Sequence, residues 1–128
     1  NELLVKRHLR PGDVYVHAEI SGAASVVIKN HVGGGIPIPP RTLAEAGCQS
    51  ICLSRAWDAK IVVSAWWVTA EQVSKTAPSG EYLGTGSFMI RGQKRFLPPA
   101  QLAFGLGFLF LQDDERSAKQ RMIRVVRE

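Results

Sequence analysis

The chain has 128 residues, 45% of them hydrophobic, which is enough for one domain whose core hides roughly two thirds of the unfolded surface. Its formal charge of +5 and isoelectric point near 9.6 favour an anionic partner, nucleic acid first and an acidic membrane surface second. No apolar run is long enough to span a bilayer or to serve as a signal peptide, and two cysteines are too few for a disulfide framework.

Taken in order, residues 1–9 suit a short helix with Asn1 as its cap and Leu4 and Val5 on its apolar side. Lys6, Arg7 and Arg10 then form its outer face, and Pro11-Gly12 stops it. The opening at Asn1-Glu2, without an initiator Met, suggests a piece cut from a longer protein. Residues 13–19 alternate, Val14, Val16 and Ala18 against Tyr15, His17 and Glu19, as a half-buried strand does. Residues 24–29 make a second strand, antiparallel to the first across Ser21-Gly22. Residues 30–40 are a loop by composition, and the run Gly33-Gly34-Gly35 is no P-loop because no Gly-Lys-Ser/Thr follows it. Thr42 and Glu45 match a capping box, predicting a helix to about residue 56 that lies flat on a sheet. Cys48 and Cys52 share one face of that helix in poor geometry for a disulfide and read as small buried thiols. His8, His17 and His31 lack the paired spacing of zinc ligands, so neither metal nor other cofactor is expected.

Residues 60–68, KIVVSAWWV, are apolar on both faces and predict a central strand covered from both sides. Trp66 and Trp67 must point to opposite faces, with one expected in the main core and the other either stacking on a base or covering a loop, of which the loop is preferred. Residues 73–96 are the stretch the rest is expected to present: Ser74, Lys75 and Thr76, a Pro-Ser-Gly turn, and a strand over 87–90. It closes on a basic hairpin tip of Arg91, Gly92, Gln93, Lys94 and Arg95. Cations neutralise phosphate charge, hydroxyls donate hydrogen bonds and glycines admit close approach, so this composition suits a sugar-phosphate backbone. After Leu97-Pro98-Pro99, residues 106–110 alternate as a last, largely buried strand, and 117–128 form a basic tail, helical or a fraying strand. The fold class is α+β, a mainly antiparallel or mixed β-sheet with helices packed on it.

Four strings carry a resemblance: PGDVYVHAEISGAASVVIKN, IPIPPRTLAEAG, SRAWDAKIVVSAWWV and QVSKTAPSGEYLGTGSFMIRGQKRFLPP. From Asn1 to about Phe110 the chain resembles the NFACT-R family, the RNA-binding module of NEMF- and Caliban-type ribosome-quality-control proteins, in its animal branch. The resemblance implies a module of a larger cytoplasmic protein, with a nuclear pool left open. That protein would bind tRNA and large-subunit ribosomal RNA on a large ribosomal subunit carrying a stalled peptidyl-tRNA. It would also support the ubiquitin ligase that marks the stalled chain and promote C-terminal elongation of that chain. The Asp-Arg pair tied to elongation belongs to a separate domain of the family.

The residues expected to touch RNA are Arg91, Lys94 and Arg95 on the hairpin, with Ser74, Lys75 and Thr76 leading into it. Tyr15 and His17 join them for stacking or hydrogen bonding to unpaired bases, with a partly covered strand face as the equal alternative. Lys29 and Arg41 join because they flank the glycine loop. Two rivals stand beside this. One is a metal-dependent nuclease acting on single-stranded nucleic acid through Asp13, Glu19, Asp58 and Glu81 with Lys75 and His17. No spaced carboxylate motif ties these together, and aspartate before a strand is routine in turns. The other is a protein-docking or dimerisation module, in which an exposed tryptophan and the apolar tail bind ribosomal protein or a sister chain. No membrane partner is expected.

Overall fold

A computed structural model of the chain describes residues 2–32, 35–74, 88–99, 101–111, 115 and 119. The architecture is α+β, built on a four-stranded antiparallel sheet in the order β2-β1-β3-β6. Its strands are β1 (Val14–Ala18), β2 (Val26–Ile28), β3 (Ala65–Thr69) and β6 (Arg95–Phe96). A second, two-stranded sheet pairs β4 (Val73–Ser74) with β5 (Met89–Ile90). The helices are α1 (Glu2–His8), α2 (Pro40–Cys52) and α3 (Ala56–Ala59).

The β-branched and aromatic residues of β1 place it between β2 and β3, with Tyr15 opposite Val27 on one side and Val68 on the other. Side chains of successive residues leave a strand on opposite faces, and both faces of this sheet are covered. On one, α2 brings Leu43, Ala46, Gly47, Ser50 and Ile51. These positions follow the helical repeat, and Leu43, Ala46 and Ile51 pack with Val14, Val16, Ala18 and Ala65. Ser50 fastens this layer, its buried hydroxyl donating to the Ala24 carbonyl at 2.6 Å. On the other face, Val5 of α1 and Ile90 of β5 pack around Tyr15, Trp66 and Val68.

Several expectations are corrected. The capping box at Thr42 and Glu45 does not form: α2 begins earlier, at Pro40, with Pro39 in the cap position and no side-chain cap. Proline at the first helical position presets φ, and Glu45 pairs with Arg41 instead. The helix stops at Cys52, and α3 follows after a turn in which the Ser54 hydroxyl accepts the Ala56 amide at 3.1 Å. The central strand starts at Ala65 rather than residue 60: Lys60 adopts a left-handed φ of 51°, and Ile61 and Val62 are exposed. Both neighbouring tryptophans, rather than one, enter a core cluster. Trp66 is buried in the α1-side cluster and Trp67 packs against the α2-side core.

The last strand does not form either. Residues 101–111 lack regular structure, and Leu106, Phe108 and Phe110 are each at least 88% exposed. The segment instead hangs from α2 through the thiols of Cys48 and Cys52, which lie close to the Gln101 and Ala103 carbonyls. The tail at 117–128 falls outside the described residues but for Lys119, which is helical. Among the described residues no helix is long and apolar enough to cross a membrane.

Candidate nucleic-acid interface

The basic segment is no hairpin tip. β5 pairs with β4 while β6 pairs with β3, so Arg91, Gly92, Gln93 and Lys94 form a link that crosses from the small sheet to the edge of the large one. Gln72 fixes the link, its side-chain amide donating to the Arg91 carbonyl at 2.9 Å and the Gln93 carbonyl at 3.1 Å. The Arg91 amide donates back to the Gln72 carbonyl at 2.7 Å. Gly92 sits at φ 75°, where a Cβ would stand 3.3 Å from the Gln72 amide nitrogen, so this crossing demands glycine. Gln72 is itself placed by a capping box with Thr69, at the start of the 3-10 turn Ala70–Gln72. That Thr-x-x-Gln pattern was readable in the sequence, and it was the signal for this clamp.

The three cations of the link have different surroundings. Arg91 is exposed and pairs with no described residue. Lys94 pairs with Glu19 and lies over the Trp66 ring, 4.6 Å from its centroid. Arg95 lies on the opposite face of the sheet, its guanidinium carbon 4.6 Å from the centroid of Trp67. Each tryptophan thus carries one cation, and the link's charge is divided between the two faces.

Of the remaining candidates, Tyr15 is buried at 4% exposure and hydrogen-bonds Ser25 at 2.7 Å, so its ring has no free face for a base. Burial raises its phenol, partly opposed by that hydrogen bond. His17 is half-buried, with Nε2 3.1 Å from the Ala23 carbonyl and its ring tilted against Trp66. Burial and the nearby Lys94 lower its pKa, against the pull of the Ala23 and Ala18 backbone. Strand alternation was read correctly for both residues, but the face they share lies under α1 and β5. Lys29 is engaged by Asp13 and by the His8 carbonyl at 2.6 Å, and exposed Arg41 pairs with Glu45 at 3.2 Å. Ser74 is half-buried on β4, while Lys75 and Thr76 lie outside the described residues.

A cavity of about 600 Å³ opens on the α2 face, at the end of the sheet where β1 begins and β3 ends. Asp13, Asn30, Trp67, Glu71 and Arg95 line it together with Leu43 of α2, so of the cations expected to touch RNA it takes in Arg95, while Lys29 and Arg41 are not in its lining. Burial pushes the Asp13 carboxyl up, yet Lys29 and the amides of Asn30 and Arg10 outweigh it and hold it below the ordinary range. Glu71 is likewise held low, chiefly by its own amide and further by the Thr69 hydroxyl and the Gly12 amide, which together outweigh the upward push of burial. Both carboxyls are therefore ionised at neutral pH. The nuclease residues are partly committed: Asp13 to Lys29 and Glu19 to Lys94, with Glu81 outside the described residues. Among the described residues no three His, Cys, Asp or Glu side chains converge on a metal position.

The profile of the NFACT protein RNA binding domain matches residues 1–92. The chain is 59% identical to ribosome quality control complex subunit NEMF of Mus musculus over 98% of its own length and 12% of that protein's. It is 46% identical to ribosome quality control complex subunit 2 of Schizosaccharomyces pombe over 97% of its length and, again, 12% of that protein's. The chain thus spans about an eighth of the curated relatives it matches. A solved structure, the C-terminal part of the fibronectin/fibrinogen-binding protein from Streptococcus suis, superimposes with a TM-score of 0.57 at 20% identity, over 79% of this chain and 37% of that one. That likeness shows a common fold.

Proposed function

The chain belongs to the NFACT RNA-binding domain family, and from that premise we propose that it contacts RNA within a ribosome-associated quality-control protein. Its ligands on this reading are tRNA and large-subunit ribosomal RNA, on a large ribosomal subunit carrying a stalled peptidyl-tRNA. Support for the ubiquitin ligase and for C-terminal elongation belongs to the full-length protein. No bond is made or broken by this part, which would work in the cytoplasm.

The observation that carries the reading is the Gln72 clamp. It holds the backbone of residues 91–93 still and leaves the Arg91 guanidinium in solvent. A preorganised cation loses less freedom on meeting a phosphate than one on a loose loop does. Arg91→Ala is the proper probe, because Lys94 and Arg95 also pack on tryptophans and their loss disturbs the sheet. Titrating tRNA at several salt concentrations should show weaker binding for Arg91→Ala and a log-log salt slope smaller by about one. Equal affinity and slope in the variant remove the segment from the interface.

Protein docking keeps specific support from the exposed Leu106, Phe108, Leu109 and Phe110, an apolar strip of the kind that marks interaction surfaces. Light scattering of the 128-residue chain would expose self-association through it.

A further inference from the structure

We propose that the cavity on the α2 face receives a single unpaired RNA base, guanine in preference to the other three. This rests on the reading of the chain as an RNA-binding module and assigns that module a base-selective site. At about 600 Å³ the cavity falls within the roughly 300–1,000 Å³ of small-ligand pockets, with room for a nucleoside. Ile36, Ile38 and Leu43 make part of its wall apolar. Its flat element is the Arg95 guanidinium laid over Trp67, and a guanidinium plane backed by an aromatic ring offers its outer side to a base.

Charge decides which part of a nucleotide enters. Asp13 and Glu71 both line the cavity; Lys29 offsets the charge of Asp13, but the ionised Glu71 repels a phosphate within a few ångströms. The uncharged base therefore goes in, while the backbone stays at the opening beside Arg95. Glu71 is the more accessible acceptor there: it is exposed, though the Thr69 hydroxyl and the Gly12 amide also act on its carboxyl, whereas Asp13 is buried and already takes Lys29 and the amides of Asn30 and Arg10. Guanine presents two adjacent N–H donors on its Watson–Crick edge and matches a carboxylate best. Adenine and cytosine present one amino group each beside an acceptor, and uracil sets a carbonyl on each side of its one N–H.

The test compares fluorescein-labelled RNA heptamers binding to the 128-residue chain: all-uridine, and the same with one central guanosine. The guanosine heptamer should bind roughly tenfold tighter, as expected of a well-matched pair of base contacts, and Glu71→Gln should bring the ratio close to one. A central thioguanosine should photo-crosslink to residues 36–38 or to Glu71, a readout that needs no variant. Equal affinity of the two heptamers overturns the base-selective site and leaves the RNA-binding reading standing. Binding of neither overturns both. A preference that survives Glu71→Gln, or a crosslink outside the cavity, overturns the assignment. So does displacement of the guanosine heptamer to the uridine level by a short arginine peptide, which would give the cavity to a protein side chain.

Discussion

Asp13 gathers the start of β1, the end of α1 and the strand edge at β2 onto one carboxylate. It accepts the amide of Arg10 at 3.0 Å, that of Asn30 at 3.0 Å and the ammonium of Lys29, while only 4% exposed. Asp13→Asn should destabilise the fold at neutral pH by about 1–3 kcal/mol, the range for a buried polar group that loses its partners. The folded pKa lies below the ordinary 3.8, so this stability is present above that value and lost as pH falls through the folded pKa. Denaturant titrations of the two proteins should therefore converge under strong acid. His17 acts at higher pH. Its folded pKa lies below 6.5, so stability is complete above that value and declines as pH falls from it toward the folded pKa. His17→Gln should flatten the decline in a series of melts between about pH 7 and pH 5. An unchanged slope would mean that the imidazole titrates alike in the folded and unfolded chains.

Among the elements, α2 shows how close contact outweighs local preference. Gly47 stands inside the helix, where alanine is ordinarily better by about 1 kcal/mol. Here a Cβ would lie 2.7 Å from Leu97 Cδ1 and 3.0 Å from Ala65 Cβ. The leucine tip can move; the alanine on β3 cannot without shifting the strand. Gly47→Ala should accordingly destabilise by about 1–2 kcal/mol in thermal melts, reversing the sign that propensity gives. The β1–β2 hairpin was legible because its alternation and turn are local properties of the sequence. The strand start at Ala65 was not, because Ile61 and Val62 resemble core residues until the left-handed Lys60 determines where the chain enters the sheet. The stretch at 106–110 failed for the opposite reason: it alternates well but has no described partner strand.

At the scale of the whole molecule, the fold class and the family followed from patterns that extend along most of the chain. The interface was legible only in part. Composition located the cations, but not that Lys94 and Arg95 face opposite ways or that Tyr15 lies beneath α1, since both depend on which strand pairs with which. The cavity was invisible for the same reason, its lining being drawn from residues as far apart in sequence as Pro11 and Arg95. If cations carry the RNA contact, affinity for tRNA should drop roughly tenfold or more between about 50 and 200 mM salt. A flat salt dependence in fluorescence anisotropy would point to apolar docking instead.

The edge strand β6 is a dipeptide, held in register by Trp66 opposite Phe96 and Trp67 opposite Arg95. It works like a hinge pin at the sheet's margin, with a lysine on one flank and an arginine on the other. Whatever dislodges it uncovers both indole rings together. Mutational maps of residues 94–96 will therefore report on two surfaces at once, and only paired changes, one per flank, can separate them.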